Sequence, residues 1–231
     1  MIKTVLFDLD DTIFDFSRAE HSAISQTFRE LGIDPTDEVI SLYSRINQEQ
    51  WERLQRNEID RDEVRIGRFR RLFAILGIDA DAVNTQRVYE YNLGSYHYYI
   101  DGAEDLLKAL YKRYDLYIVS NGTTSVQDRR IAASGIAKYF KDIFISERVG
   151  YNKPSVEFFN FCIDRIKDFD KDSAIIIGDS LTSDILGGKN VGIKTCHYQR
   201  AGVLERGASC DIIPDYRVNS LDEIISLLEK L

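Results

Sequence analysis

Apolar positions fall along this chain in two rhythms. Three short runs are apolar or aromatic apart from the opening Thr4: TVLF (4–7), LYIV (116–119) and AIII (174–177). A half-exposed antiparallel strand alternates polar with apolar, so unbroken runs of this length predict strands buried on both faces of a parallel sheet. DIFIS (142–146), KTCHY (194–198) and DYRV (215–218) are weaker strand candidates. Between the runs the spacing becomes helical. DGAEDLLKALYKR (101–113) places Leu106, Leu107, Leu110 and Tyr111 on one face behind an Asp101/Glu104 pair. PSVEFFNFCIDRIK (154–167) buries Phe158, Phe159, Cys162, Ile163 and Ile166 in the same way, with Pro154 suited to a first helical turn. SLDEIISLLEKL (220–231) opens on a Ser-x-x-Glu capping box. Strand alternating with helix predicts an α/β fold with a doubly wound parallel sheet.

Residues 17–96 interrupt that alternation. Ile24, Thr27, Phe28 and Leu31 follow helical spacing, as do Phe69, Leu72, Phe73 and Leu76, and segments 36–56 and 82–96 also read as helix. No strand pattern intervenes. The reading is a core of 1–16 and 97–231 with a bundle of about four helices, 17–96, inserted after the first strand. LGID occurs at 31–34 and 76–79, which marks two helix ends rather than a repeat.

Composition narrows the class. The chain has 231 residues, is 44% hydrophobic and carries 13 Tyr and 12 Phe, enough for a sizeable core. A net charge of −8 argues against polymeric nucleic acid as a partner, since such proteins carry a basic footprint. A single phosphorylated small molecule stays open. No apolar run approaches the roughly 20 residues of a membrane helix, and the N-terminus enters a strand without a leader pattern. Cys162, Cys196 and Cys210 show no metal-ligand spacing and read as free thiols in a reducing cytoplasm.

In a parallel sheet all strands end at one edge, and ligands bind outside those carboxyl ends. The first strand ends in Asp8-Leu9-Asp10, and LYIV ends in Ser120-Asn121-Gly122-Thr123. Tyr151-Asn152-Lys153-Pro154 follows the third candidate strand; AIII ends in Gly178-Asp179-Ser180, with Asp184 soon after. An isolated Asp pair is usually a turn or cap, and an isolated Lys before Pro is usually solvated. Four such signals in order, each at a strand end, point instead to phosphoryl transfer through a carboxylate. Asp8 and Asp179 can hold Mg2+, a hard cation that accepts carboxylate and phosphate oxygens. Lys153 and the Ser120–Asn121 turn can meet the remaining phosphate oxygens. Asp10 can exchange protons with leaving group and water, and like charge nearby raises the pKa of one partner of the Asp8/Asp10 pair. Asp11 reads as a turn residue, and Asp15 as the point where the chain leaves for the insertion. His21, His97 and His197 are scattered and carry no assignment.

DLDDT, VSNGTT, NKP and GDSLTSD resemble the four ordered motifs of the haloacid dehalogenase-like (HAD) hydrolase superfamily, and the helical insertion resembles its first type of cap domain. The resemblance covers essentially the whole chain and implies a Rossmann-like core. It implies Asp8 as nucleophile, Asp10 as general acid/base, and Ser120 and Lys153 as phosphoryl contacts. Asp8, the Asp10 carbonyl and Asp179 would hold Mg2+, with Asp184 in support. Dehalogenases of the superfamily typically lack the second aspartate of the first motif, so Asp10 favours phosphate-ester hydrolysis, while a sugar phosphomutase shares both aspartates. NQEQW (47–51), LQRNEI (54–59), GRF (67–69) and SDILGGKNVG (183–192) look similar to the pyrimidine nucleoside 5′-monophosphatase branch. Phosphoglycolate and small sugar phosphates are the alternative substrates. Trp51 and Arg68 are candidate substrate contacts, set against a core position for Trp51 and a solvated one for Arg68. Tyr96, Tyr98 and Tyr99 read as hinge packing. A phospho-Asp receiver switch shares the residue types, but its phosphorylated Asp lies on a later strand and its domain is far shorter.

Overall fold

The computed structural model describes residues 1–200 and 211–231. Among these residues six strands form one parallel sheet: β1 (Thr4–Phe7), β2 (Asp115–Ser120), β3 (Asp142–Ile145), β4 (Ala174–Gly178), β5 (Lys194–Tyr198) and β6 (Tyr216–Val218). Their order is β3-β2-β1-β4-β5-β6, so β1 lies between β2 and β4, and the three apolar runs are the three central strands. Alternate residues serve opposite faces. Val5, Phe7, Ile118, Ile175 and Ile177 pack with Leu106, Leu107, Leu110, Leu221, Ile224 and Leu228. Leu6, Tyr117, Val119 and Ile176 pack with Phe158, Phe159 and Cys162 on the other side. Both pleat faces are dry, which is why these strands show no polar alternation.

The helices, in chain order, are α1 (Phe16–Glu30), α2 (Asp37–Gln55), α3 (Arg68–Leu76), α4 (Ala82–Leu93), α5 (Ala103–Leu110), α6 (Thr124–Ser134), α7 (Ser146–Val149), α8 (Val156–Ile163), α9 (Leu186–Val191) and α10 (Leu221–Leu228). Several termini differ from expectation. Gly102, at φ 84°, precedes α5 and no side chain caps it, so the Asp101/Glu104 pair does not open that helix. The hydroxyl of Ser155 accepts from the Phe158 N–H, so α8 starts after Pro154 rather than on it. Ser220 makes no side-chain cap, and the Glu223 carboxylate accepts instead from the Asn219 N–H at 2.9 Å.

The insertion holds α1 to α4, with a π-helical turn (Glu63–Gly67) leading into α3. Its centre is aromatic: Tyr43 stacks on Phe69 at 5.3 Å, with Tyr89 and Phe28 against Tyr43. The two LGID copies do the same local task. Gly32 and Gly77 adopt φ 71° and 65°, and the following Ile33 and Ile78 N–H groups donate back to Phe28 and Phe73 carbonyls. Cys162 and Cys196 are buried free thiols, while Cys210 lies outside the described residues. Among the described residues no helix is long and apolar enough to cross a membrane.

Candidate active site

Asp8 sits one residue beyond β1, and its N–H still pairs with the Ile177 carbonyl of β4 at 2.9 Å. Ser120 closes β2, and Asp179 follows β4 directly. Lys153 comes from the loop between α7 and α8, and Asp184 from a second π-helical turn, Leu181–Ile185. Topology therefore brings residues 8, 120, 153, 179 and 184 to one rim. Gly178 makes this possible, since a Cβ there would lie 2.3 Å from an Asp184 carboxylate oxygen.

Lys153 is the electrostatic hinge of the site. Its Nζ donates to Asp8 Oδ1 and Asp184 Oδ1, each at 2.6 Å, and to the Val119 carbonyl at 2.8 Å. All three charged groups are buried. Burial pushes the Asp8 carboxyl up to about 7, with Asp184 and Asp10 adding to the rise and Lys153 opposing it. Burial alone would lower the Lys153 ammonium; the Asp184 and Asp8 carboxylates outweigh it and hold the proton on firmly. Burial rather than like charge is the main cause of the rise at Asp8.

Asp8, Asp179 and Asp184 each offer a carboxylate oxygen, all within 4.8 Å of one another. Hard anionic donors at this spacing fit a small divalent cation such as Mg2+. The expected ligand set counted Asp184 only as support; the geometry places it inside the cluster. Asp10 stands apart from it. The strand ends before Asp10, Asp11 turns the chain at φ 59°, and the Asp10 carboxylate meets Arg130 Nη1 at 2.5 Å and Gln127 Nε2 at 2.6 Å.

Other expected residues fall as follows. Ser120 Oγ accepts from Gln127 Nε2 and from the Gly122 N–H. The Asn121 side chain braces Lys153, bonding both its carbonyl (2.9 Å) and its N–H (2.8 Å). The same Nδ2 also meets Ser183 Oγ at 3.4 Å. Asp11 Oδ1 accepts from the Phe16 and Ser17 N–H groups, and Asp15 caps α1 and pairs with Arg200 at 2.9 Å. Trp51 is half-buried rather than core and lines the cleft. Arg68 is buried, not solvated: it donates to Asn47 Oδ1 at 2.6 Å and Gln86 Oε1 at 2.7 Å. Tyr96 and Tyr98 stack at 5.7 Å at the return from the insertion.

Three residues escaped sequence reasoning. Gln127 and Arg130 stand three apart on α6, just after VSNGTT, so helical spacing from that motif was their signal. Arg130 is fully buried and also donates to the Tyr96 carbonyl at 2.9 Å, tying Asp10 to the return segment. Arg61 lies in the α2–α3 connection, where no periodicity marks it. It reaches Ser146 Oγ at 2.7 Å and Asn152 Oδ1 at 2.5 Å, fastening the insertion to the sheet's rim. A cleft of about 930 Å3 runs from Asp8, Asp179 and Lys153 to Glu20, Asn47, Trp51 and Arg68 in the insertion.

A parallel sheet with carboxylates and a lysine gathered at the ends of its central strands, roofed by a helical insertion, defines an α/β enzyme with a strand-end carboxylate centre. The family model described as haloacid dehalogenase-like hydrolase matches residues 5–198, and the chain belongs to that family. YfnB of Bacillus subtilis, a HAD-hydrolase in name, is 40% identical over 229 residues, covering 98% of this chain and 95% of its own. The pyrimidine 5′-nucleotidase PynA of Streptococcus pneumoniae is 37% identical over 229 residues, covering 99% of this chain and 95% of its own. A crystal structure of YfnB bound to magnesium superposes with a TM-score of 0.92 at 39% identity, covering 98% of each chain; it shows interdomain movement in that protein.

Proposed function

We propose that this hydrolase is a Mg2+-dependent phosphatase that cleaves a pyrimidine nucleoside 5′-monophosphate through an aspartyl-phosphate on Asp8. The observation that carries the reading is the Asp8–Lys153–Asp184 cluster, with Asp179 beside it and Asp10 two residues from Asp8. Similarity to PynA supports the pyrimidine nucleotide as substrate. Asp8, Asp179 and Asp184 would hold a magnesium ion, whose positive charge would offset that of the carboxylates toward a phosphate dianion.

The protein's own groups do the rest. Lys153 fixes the Asp8 carboxylate, and its ammonium compensates negative charge as the phosphoryl group arrives. An Asp8 oxygen attacks phosphorus while the bond to the nucleoside O5′ breaks, and protonated Asp10 gives its proton to that oxygen. Asp10, now a carboxylate, takes a proton from water. The water oxygen attacks phosphorus, the Asp8–phosphorus bond breaks, and inorganic phosphate leaves. Gln127 and Arg130 set where Asp10 points, and Gln127 also positions the Ser120 hydroxyl for the phosphoryl oxygens. Residues 17–96 act as a cap that excludes water and selects the leaving group.

The test is phosphate release from UMP, CMP, dTMP, AMP, phosphoglycolate and hexose phosphates, with Mg2+ and with EDTA. Pyrimidine monophosphates are expected to lead, with activity lost in EDTA. Preference for phosphoglycolate overturns the substrate. A hexose phosphate that is isomerised rather than hydrolysed overturns the reaction.

A further inference from the structure

Taking the nucleotidase reading as its basis, we propose that Glu20 and Arg68, joined through Asn47, form a base-reading subsite. It places a hydrogen-bond acceptor beside a donor, matched to a ring N–H and the carbonyl next to it on a pyrimidine. Both residues line the same cleft as Asp8 and Lys153, at the end formed by the helical insertion. Glu20 is 7% exposed and Arg68 4%, within a bundle whose other interior positions are largely aliphatic and aromatic. Burying a carboxylate and a guanidinium among such residues is costly, and apolar side chains of similar volume would hold the helices together at least as well.

The two charges do not cancel by direct contact. Asn47 stands between them, its Nδ2 donating to Glu20 Oε1 and its Oδ1 accepting from Arg68 Nη1, each at 2.6 Å. Ser44 Oγ donates to Glu20 Oε2 at 2.6 Å. Each Glu20 oxygen accepts one bond here and retains a second lone pair. Arg68 uses its Nε–H on the Arg65 carbonyl and one N–H each from Nη1 and Nη2, which leaves two N–H groups of the guanidinium uncommitted. Its plane is fixed against the Tyr89 ring at 4.7 Å. Acceptor and donor capacity are therefore held side by side on a rigid wall, which is what a heterocycle edge requires and a bare sugar or glycolate does not use. Trp51, half-buried on the same cleft, offers a face on which such a ring can stack.

The experiment compares UMP with ribose 5-phosphate, which keeps the ester and the sugar but lacks the base. Full-length wild type, Glu20→Gln and Arg68→Lys are assayed with Mg2+, and circular dichroism checks folding. The kcat/KM ratio of UMP to ribose 5-phosphate is expected to fall at least about tenfold in both variants, mainly through KM for UMP. A ratio within about twofold of wild type, with both substrates declining together, would show a purely structural network and overturn the proposal. Should either variant fail to fold, Ser44→Ala removes only one bond to Glu20. A fall of about threefold in the same ratio is then expected, and no change overturns the proposal. Wild type that does not prefer UMP overturns the nucleotidase reading itself. Preference in wild type that survives all the substitutions overturns only the subsite.

Discussion

The two ends of the cleft bury charge in opposite ways. At the sheet rim Lys153 touches Asp8 and Asp184 directly, so each charge is paired at 2.6 Å. In the helical insertion Glu20 and Arg68 are separated by the Asn47 amide, and neither is saturated. Direct pairing suits a site that must hold a carboxylate in one position while a metal and a dianion assemble around it. Indirect pairing suits a site that must offer spare donors and acceptors to a neutral group. The contrast predicts that damage at the rim destroys chemistry, and damage in the insertion redirects it.

Lys153→Met breaks the contrast most severely. It leaves two buried carboxylates without their cation, and the expected cost is about 3–5 kcal/mol in urea unfolding, with activity lost. Unfolding free energy within about 1 kcal/mol of wild type would contradict the pairing. Next in size is Gly178→Ala. The added Cβ meets Asp184 at 2.3 Å, so the carboxylate must move. A stability loss of about 1–3 kcal/mol is expected, together with weaker Mg2+ binding by calorimetry. Arg61→Ala removes the fastening between insertion and rim. It is expected to lower kcat/KM about tenfold while shifting the melting temperature little, because the residue joins two already folded parts.

The smallest effect is a pH dependence in the insertion. Burial raises the Glu20 carboxyl above its ordinary value of 4.5, against the bonds from Ser44 and Asn47. A carboxyl raised on folding favours the folded state most below its unfolded pKa, and that contribution disappears as pH climbs through the raised folded value. Wild type should therefore lose stability relative to Glu20→Gln as pH rises from about 4.5, measured as a widening gap in melting temperature. A gap independent of pH would mean that Glu20 titrates in the folded protein as it does in the unfolded chain.

The rim was legible in the sequence because a parallel sheet sends every strand to one edge. Asp8, Ser120 and Asp179 needed only the strand ends to be placed together, and the apolar runs marked those ends. Lys153 was expected at the end of the third candidate strand, and it reaches the rim although α7 separates its loop from β3. Asp184 was undervalued because a π-helical turn, which no spacing rule signals, swings it back against Gly178. The insertion was legible as helices, with Trp51 and Arg68 as candidate contacts, but the partners of Arg68 were not. Glu20, Asn47 and Arg68 occupy three different helices, and their meeting depends on how those helices pack. The solvated alternative for Arg68 stood open because one sequence cannot show that its guanidinium lies over the rings of Tyr43, Phe69 and Tyr89. The sequence ends the first strand at Asp8-Leu9-Asp10 and leaves the direction of Asp10 open; the structure ends β1 at Phe7, turns the chain at Asp11 and hands the Asp10 carboxylate to Arg130.

The central claim is that Asp8 carries the phosphoryl group, and the Asp8→Asn protein tests it most directly. Asparagine keeps the shape and removes the nucleophilic oxygen. Phosphate release from UMP in Mg2+ should fall to the level of the uncatalysed reaction, while circular dichroism shows a folded chain. Release at the wild-type rate from that folded variant would contradict the account.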